Sequence, residues 1–375
     1  MAERTFDVVV IGAGPAGEVA AGRLGEAGLE VALVEQHLVG GECSYYACMP
    51  SKALLRPAEL LGEAARVPGV RAEGLDAAAV LKRRDGVIHD LDDSSQLPWL
   101  EERGVTLVRS RGRIDGEKRV RTDDDVLLAR NAVIVATGSG PVMPPIPGLK
   151  EARPWSNREA TTAKEPPESM VVLGGGVVGV ELAQAWASLG ARVAVVEGAE
   201  RLIAREEPFA SEQVEAALTE AGVDVRTGSK AVSICREGEV AVELEDGSSA
   251  SGAELLVAVG RRPATEGIGL ETIGLQPGKP VEVGDDLRSA QHDWLYAVGD
   301  ANGRALLTHM GKYQARLAAD SILGKDVRIV SDGPLSPRVI FTDPQVAAVG
   351  HTLASATEAG LNARAVDVDS SSTAG

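Results

Sequence analysis

The chain has 375 residues, enough for two or three domains, and its 55 acidic against 38 basic side chains leave a net charge of −17 that disfavours a phosphate backbone as partner. At 44% hydrophobic and 25% charged it is too apolar for disorder, yet no run approaches the ~20 apolar residues of a membrane helix. The N-terminus lacks the apolar block and cleavage site of a signal peptide, and three cysteines are too few for a secreted scaffold, so a cytoplasmic location is expected, with neither nucleic acid nor membrane as partner.

In chain order, Asp7 to Ile11 is a β-branched run of the kind a buried parallel strand requires. Gly12-Ala-Gly-Pro-Ala-Gly17 follows, then a helical stretch to Gly28 and a strand, Glu30 to Val34, ending at Glu35. Short strands are expected at Thr106 to Arg109, Gly112 to Ile114, Val126 to Ala129 and Ala132 to Ala136, with Pro141 to Pro147 as a linker and Pro154 to Pro167 as a loop-rich junction. The first pattern then recurs. Met170 to Leu173 leads into Gly174-Gly-Gly-Val-Val-Gly179, a helical stretch to Gly190, and a strand, Arg192 to Val196, ending at Glu197. Val214 to Glu220 reads as helix, and Ala231 to Cys235, Ala241 to Leu244 and Leu255 to Val259 as strands; only Ser370 to Ser372 is of low complexity.

Each glycine loop sits between a strand and a helix, with an acid 23 residues after its first glycine. Glycines permit the tight turn and the approach of backbone N–H groups to a pyrophosphate, the helix N-terminus favours negative charge, and the acid accepts from ribose hydroxyls. The repeat implies an α/β protein that takes two dinucleotides, or one bound and one visiting. Glu197 accepts from a 2′-OH and repels a 2′-phosphate, which favours NADH over NADPH, although Arg201 and Arg205 lie close by.

Between the two units lies Gly40-Gly-Glu-Cys-Ser-Tyr-Tyr-Ala-Cys-Met-Pro-Ser-Lys52. In a regular helix the spacing of Cys43 and Cys48 separates Cα atoms by about 8.6 Å, beyond the ~7 Å reach of a disulfide. A bonded pair therefore cannot share one helix. Cys43 is expected in the incoming loop and Cys48 at a helix start, with Pro50 in the first turn. The helix N-terminus and Lys52 then favour a thiolate at Cys48. Redox chemistry or metal binding fits such a pair in a reducing compartment, and no metal site is expected.

At this box the sequence resembles the pyridine nucleotide-disulfide oxidoreductases, the flavoprotein class that includes dihydrolipoamide dehydrogenase and mercuric reductase. The resemblance rests on the two fingerprints, the C-x4-C-x-P-S-K box, Ala136-Thr-Gly138, Glu181, Gly260-Arg-Arg-Pro263, Tyr296-Ala-Val-Gly-Asp300 and Phe341-Thr-Asp-Pro344. It implies two Rossmann-like dinucleotide-binding domains followed by an incomplete α+β interface domain. Residues 1–150 and 266–337 would form the FAD-binding domain, 151–265 the NAD(P)-binding domain, and 338–375 the start of the truncated interface domain. Electrons would pass from NAD(P)H to FAD, to a Cys43–Cys48 disulfide, and on to a small-molecule or protein-bound disulfide. Cys48 would be the charge-transfer thiolate and Cys43 the interchange thiol, with Lys52 near the flavin N5 and paired with Glu181. The FAD positions implied are Gly12, Gly14, Pro15, Ala16, Gly17, Glu35, Gly41, Lys52, Gly112, Thr137, Gly138, Ser139, Asp300, Leu306, Leu307, Thr308 and His309. Those for the nicotinamide nucleotide are Gly174, Gly176, Gly179, Glu181, Glu197 and Gly260.

The plain alternatives are a solvated Lys52 and a surface Glu181, while Cys235 reads as a structural strand residue. Tyr45 and Tyr46 replace the smaller residues common between the cysteines, either narrowing the substrate side or packing against it. Family members continue into an interface domain that makes a homodimer and carries a His–Glu acid/base pair. None of His37, His89, His292, His309 and His351 occupies that place, and the spacing of His37 to Glu42 is a coincidence. The chain reads as a fragment, because a sheet begun by Val339 to Phe341 would lack partner strands. A diaphorase passing electrons to quinones, and a non-catalytic FAD-binding protein, are the other readings.

Overall fold

The computed structural model describes residues 2–369, so the Ser370–Ser372 run lies outside the described residues. Strand β1 (Ala2–Ile11) leads through helix α1 (Pro15–Glu26) to β2 (Val31–Glu35). Two helices carry the cysteines, α2 (Gly41–Tyr45) and α3 (Cys48–Arg66). Helices α4 (Ala77–Val87) and α5 (Leu97–Glu101) precede strands β3 (Val105–Arg109), β4 (Arg113–Ile114), β5 (Arg119–Arg121), β6 (Asp125–Val135) and β7 (Ser139–Pro141). The first sheet runs β3-β2-β1-β6-β5-β4. Its central strand is apolar on both faces: Val8 and Val10 pack into the cluster holding Ala20, Leu24 and Ala318, while Val9 and Ile11 pack into that of Val133, Ile268 and Leu295. This two-sided burial is why Val8–Ile11 reads as an unbroken hydrophobic run.

The strands expected at Val126 to Ala129 and Ala132 to Ala136 are one strand, β6. Its polar Arg130-Asn131 pair is absorbed as a bulge, where Phe6 opposes Ala129 and Val8 opposes Ala132. Arg130 then points outward to Asp7 and Glu30 at 3.0 and 2.7 Å. Pairing with the first half of β6 also extends β1 back to Ala2, beyond the expected start at Asp7.

The junction from Pro154 to Pro167 is not all loop. It holds α6 (Asn157–Thr162), started by a capping box in which Ser156 and Glu159 satisfy each other's end of the turn. Strand β8 (Ser169–Leu173), helix α7 (Val177–Ser188) and strand β9 (Arg192–Val196) repeat the β1-α1-β2 design. Helix α8 (Pro208–Glu220) begins six residues before the expected Val214, with Pro208 in its first turn. After β10 (Asp224–Arg226) come the antiparallel β11 (Ala231–Glu237), β12 (Glu239–Leu244) and β13 (Ser249–Gly252). Strand β14 (Glu254–Val257) completes a parallel sheet, β10-β9-β8-β14, and β15 (Arg261–Pro263) pairs with β7.

The chain then returns to the first sheet. Strand β16 (Leu295–Ala297) pairs in parallel with β6, and α9 (Thr308–Ile322) lies against α1, where Arg23 grips Asp320 with two nitrogens at 2.8–3.0 Å. Strand β17 (Arg338–Ile340) does have a partner, correcting the expectation for Val339 to Phe341. It pairs antiparallel with β18 (Val346–Ala348), ahead of helix α10 (Leu353–Glu358). Among the described residues no helix is long and apolar enough to cross a membrane.

Candidate functional site

The first glycine loop turns where a side chain has no room. Gly12 sits at φ +102°, and a Cβ there would stand 2.5 Å from the Ala136 carbonyl oxygen, while one on Gly17 would stand 1.8 Å from that of Gly12. A cleft of about 400 Å³ opens in front of this loop. Its walls include Gly12, Gly14, Pro15, Ala16, Glu35, Gly41, Gly112, Thr137, Gly138, Ser139, Asp300, Leu307 and Thr308 from the expected flavin set, with Cys43 at one end. Gly17 stands behind the turn. Leu306 and His309 do not line the cleft: Leu306 is exposed, and His309 Nε2 bonds the Pro337 carbonyl at 2.6 Å. Lys52 is set back from it beside Glu181.

The cleft chemistry fits a flavin dinucleotide. Thr137 Oγ1 is buried on its wall with no partner in the protein, a polar atom placed for a ligand. Burial pushes the Asp300 carboxyl up, with the Ser139 hydroxyl donating to it and Arg261 nearby opposing the rise. Glu35 accepts from the N–H groups of Ala13 at 2.8 Å and His37 at 2.7 Å, bracing the loop. Glu197 does the same in the second unit, accepting from Gly175 at 2.5 Å and Ala199 at 2.7 Å. There, a Cβ on Gly179 would stand 1.8 Å from the Gly174 carbonyl oxygen, matching the first loop. Gly260, at φ +143°, accepts from Val142 N–H across the β7–β15 pair.

The cysteines occupy two helices. Cys43 lies inside α2, not in a loop, because the left-handed Gly40 and Gly41 wind the chain into a short helical segment before Ala47 breaks it. Cys48 is the first residue of α3, with Pro50 in the first turn, and both are free thiols. Cys48 is pulled down to about 6, chiefly by a hydrogen bond from the Cys43 thiol, then by Thr308, whose Oγ1 is 3.4 Å from its sulfur, and by Lys52; burial and Glu181 oppose the fall. Cys43, which keeps the shared proton, is pushed far up by that bond and by burial.

Lys52 is not a plain solvated lysine. Its Nζ lies 2.6 Å from Glu181 Oε2, and Glu181 is 3% exposed. The other Glu181 oxygen accepts from Phe341 N–H at 2.9 Å, and the Phe341 ring centroid is 4.6 Å from Lys52 Nζ. The tyrosines split the two expectations: Tyr45 is buried in packing, and Tyr46 lines the cleft beneath the Arg158 guanidinium, 4.7 Å above its ring. Cys235 is on strand β11 with its side chain exposed. Sequence reasoning missed Glu42, Asn157, Arg158 and Arg261, which meet beside Cys43. The capping box at Ser156 was the available signal, since it places the two residues after it at a helix start.

This chain belongs to the pyridine nucleotide-disulphide oxidoreductase family, whose model matches residues 6–316. It is an FAD-dependent oxidoreductase of the flavoprotein disulfide reductase type. It is 35% identical over 366 residues to dihydrolipoyl dehydrogenase 3 of Pseudomonas aeruginosa, covering 92% of this chain and 77% of that protein. To the mercuric reductase of Staphylococcus aureus it is 30% identical over 368 residues, covering 96% and 67%. The solved structure of the HOCl-induced flavoprotein disulfide reductase RclA from Escherichia coli matches with a TM-score of 0.83 at 27% identity, covering 94% of this chain and 79% of that one.

Proposed function

We propose that the protein is an NADH-dependent disulfide reductase of the dihydrolipoyl dehydrogenase type, working through a Cys43–Cys48 redox disulfide. The observation that carries this reading is the placing of Cys48 at a helix start, 3.4 Å from the Thr308 hydroxyl and one turn from Lys52, whose Nζ lies 2.6 Å from the buried Glu181 carboxylate. Bound flavin supplies the two-electron relay between a nicotinamide and that disulfide. The cleft-lining residues named above would hold it, with Gly17 allowing the turn, Lys52 beside the ring, and Leu306 and His309 contributing from outside the cleft. Gly174, Gly176, Gly179, Glu181, Glu197 and Gly260 would receive the nicotinamide nucleotide. The preference for NADH draws support from Arg201, whose guanidinium is spent on Ser211 and the carbonyls of Ala204 and Glu206 and so is not free to meet a 2′-phosphate.

In the reduced pair, Cys48 carries the negative charge and Cys43 the proton. Once that proton leaves, Cys43 attacks the substrate disulfide, one sulfur departs as a thiol, and a mixed disulfide forms. The Cys48 thiolate then attacks the Cys43 sulfur, closing the internal disulfide and expelling the second sulfur as a thiolate that takes its proton from solvent. The base that takes the Cys43 proton would be the His–Glu pair of an interface domain begun by residues 338–375, in a homodimer. Residues 1–150 with 266–337, and residues 151–265, would be the two nucleotide domains, and the thiols suit a reducing cytoplasm.

Anaerobic NADH titration of the flavin-loaded protein tests this reading. A long-wavelength absorption band should appear and vanish in Cys48→Ser, with lipoamide or glutathione disulfide turned over by the wild type alone. No band in the wild type, together with quinone turnover that survives both cysteine substitutions, would overturn it in favour of a diaphorase.

A further inference from the structure

We propose that Glu42 is a positioning residue which, through Asn157 and Arg158, clamps the turn between Cys43 and Cys48 and thereby sets the potential of their disulfide. The inference rests on the redox role given above to the two cysteines. Glu42 immediately precedes Cys43, and its carboxylate is held from three sides. Asn157 Nδ2 donates to Oε2 at 2.9 Å, Arg158 reaches Oε1 with Nε and Nη2 at 2.5 Å, and Arg261 Nη2 stands 3.8 Å away. The same Asn157 amide donates to the Tyr46 carbonyl at 2.8 Å, where the Thr161 hydroxyl also donates at 3.0 Å. One amide group, on a residue 5% exposed, therefore ties both ends of the segment that carries Cys43. Arg261 Nη1 donates to Asn157 Oδ1 at 3.2 Å and fixes which way the amide points. The Arg158 guanidinium closes the clamp from outside by lying over Tyr46.

The consequence follows from ring closure. A disulfide between two residues is favoured in proportion to the effective concentration of their thiols, which rises when the intervening chain cannot wander. Here the segment is pinned at Glu42 and again at the Tyr46 carbonyl, with Cys43 between the two anchors. All the clamping groups come from α6 and β15, outside the cysteine segment, so tertiary contacts and not the turn itself limit how far the segment carrying Cys43 can move. Releasing Glu42 lets residues 42–47 spread over more conformations, which disfavours the disulfide relative to the dithiol.

The test is an equilibrium measurement on the flavin-loaded full chain in mixed reduced and oxidised glutathione. The internal disulfide plus two glutathione thiols gives the reduced cysteine pair plus glutathione disulfide: one S–S bond breaks, one forms, and of the two glutathione protons one goes to Cys43 and the other to solvent while Cys48 stays a thiolate. Free thiols at both positions are counted by maleimide labelling and peptide mass. At fixed buffer composition, Glu42→Ala should raise the dithiol-to-disulfide ratio about tenfold, some 30 mV toward a less negative potential. Glu42→Gln keeps the Asn157 bond and should shift it less. Arg158→Met, at a half-exposed side chain, should shift it in the same direction and serves if Glu42→Ala fails to fold. Variants that lower Tm while leaving the ratio within twofold of wild type would overturn the inference alone. A wild type that forms no Cys43–Cys48 disulfide at any buffer ratio would overturn it together with the proposed function.

Discussion

A thiol at the first position of a helix faces backbone N–H groups that have no intrahelical partner, and these stabilise its anion. Cys48 adds to this the proton donated by Cys43, the Thr308 hydroxyl and the charge of Lys52. Iodoacetamide alkylation of Cys48 in the reduced protein should therefore rise through pH about 6, with Cys43 unreactive over that range. Lys52→Met should move the Cys48 midpoint upward by about one unit, because it removes an opposite charge. An unmoved midpoint would place the effect in the helix and the cysteine pair alone. The sign carries over to stability. A depressed folded pKa contributes fully above the unfolded thiol value near 8.5, and the contribution is lost as pH falls through about 6. Reduced wild type should thus gain on Cys48→Ser between pH 6 and 9 in thermal unfolding.

The strand–glycine–helix unit works only because helix and strand approach without a Cβ between them. In both copies a methyl group on the third glycine would enter the space of the first glycine's carbonyl oxygen, so the helix must withdraw. Gly17→Ala should abolish flavin retention, and Gly179→Ala should abolish NADH reduction while sparing bound flavin, each costing roughly 1–3 kcal/mol of stability. Equal loss of flavin in both variants would deny the division of labour between the two loops. The glycine spacing made both units legible in the sequence. The merging of two apolar runs into β6 was not legible, since it depends on Arg130 finding Asp7 and Glu30 on neighbouring strands.

For the molecule as a whole, the decisive event is the return of the chain to its first sheet. Helices α1 and α9, separated by nearly 300 residues, meet along a face that carries Glu18 and Lys312. Burial raises the Glu18 carboxyl to about 7, with Glu35 and Asp93 adding to the rise and Lys312 opposing it. A raised carboxyl pKa favours the fold in its protonated form, so wild type is least penalised below about pH 4.5 and loses that advantage as pH climbs through 7. Glu18→Gln should therefore stabilise the protein above pH 7, by at most about 3 kcal/mol, and be neutral near pH 4. A constant difference in thermal stability across that range would show that the carboxyl is solvated.

Local pattern alone determined the two nucleotide units, the acids that end their second strands, and the cysteine box, because each depends on residues close in sequence with rigid steric demands. Tertiary structure decided what surrounds them. The clamp on Glu42 is assembled from α6 and β15, and Thr308 reaches Cys48 across 260 residues. Such contacts leave no periodicity in the sequence, since a hydrogen bond between distant segments constrains only their meeting in space.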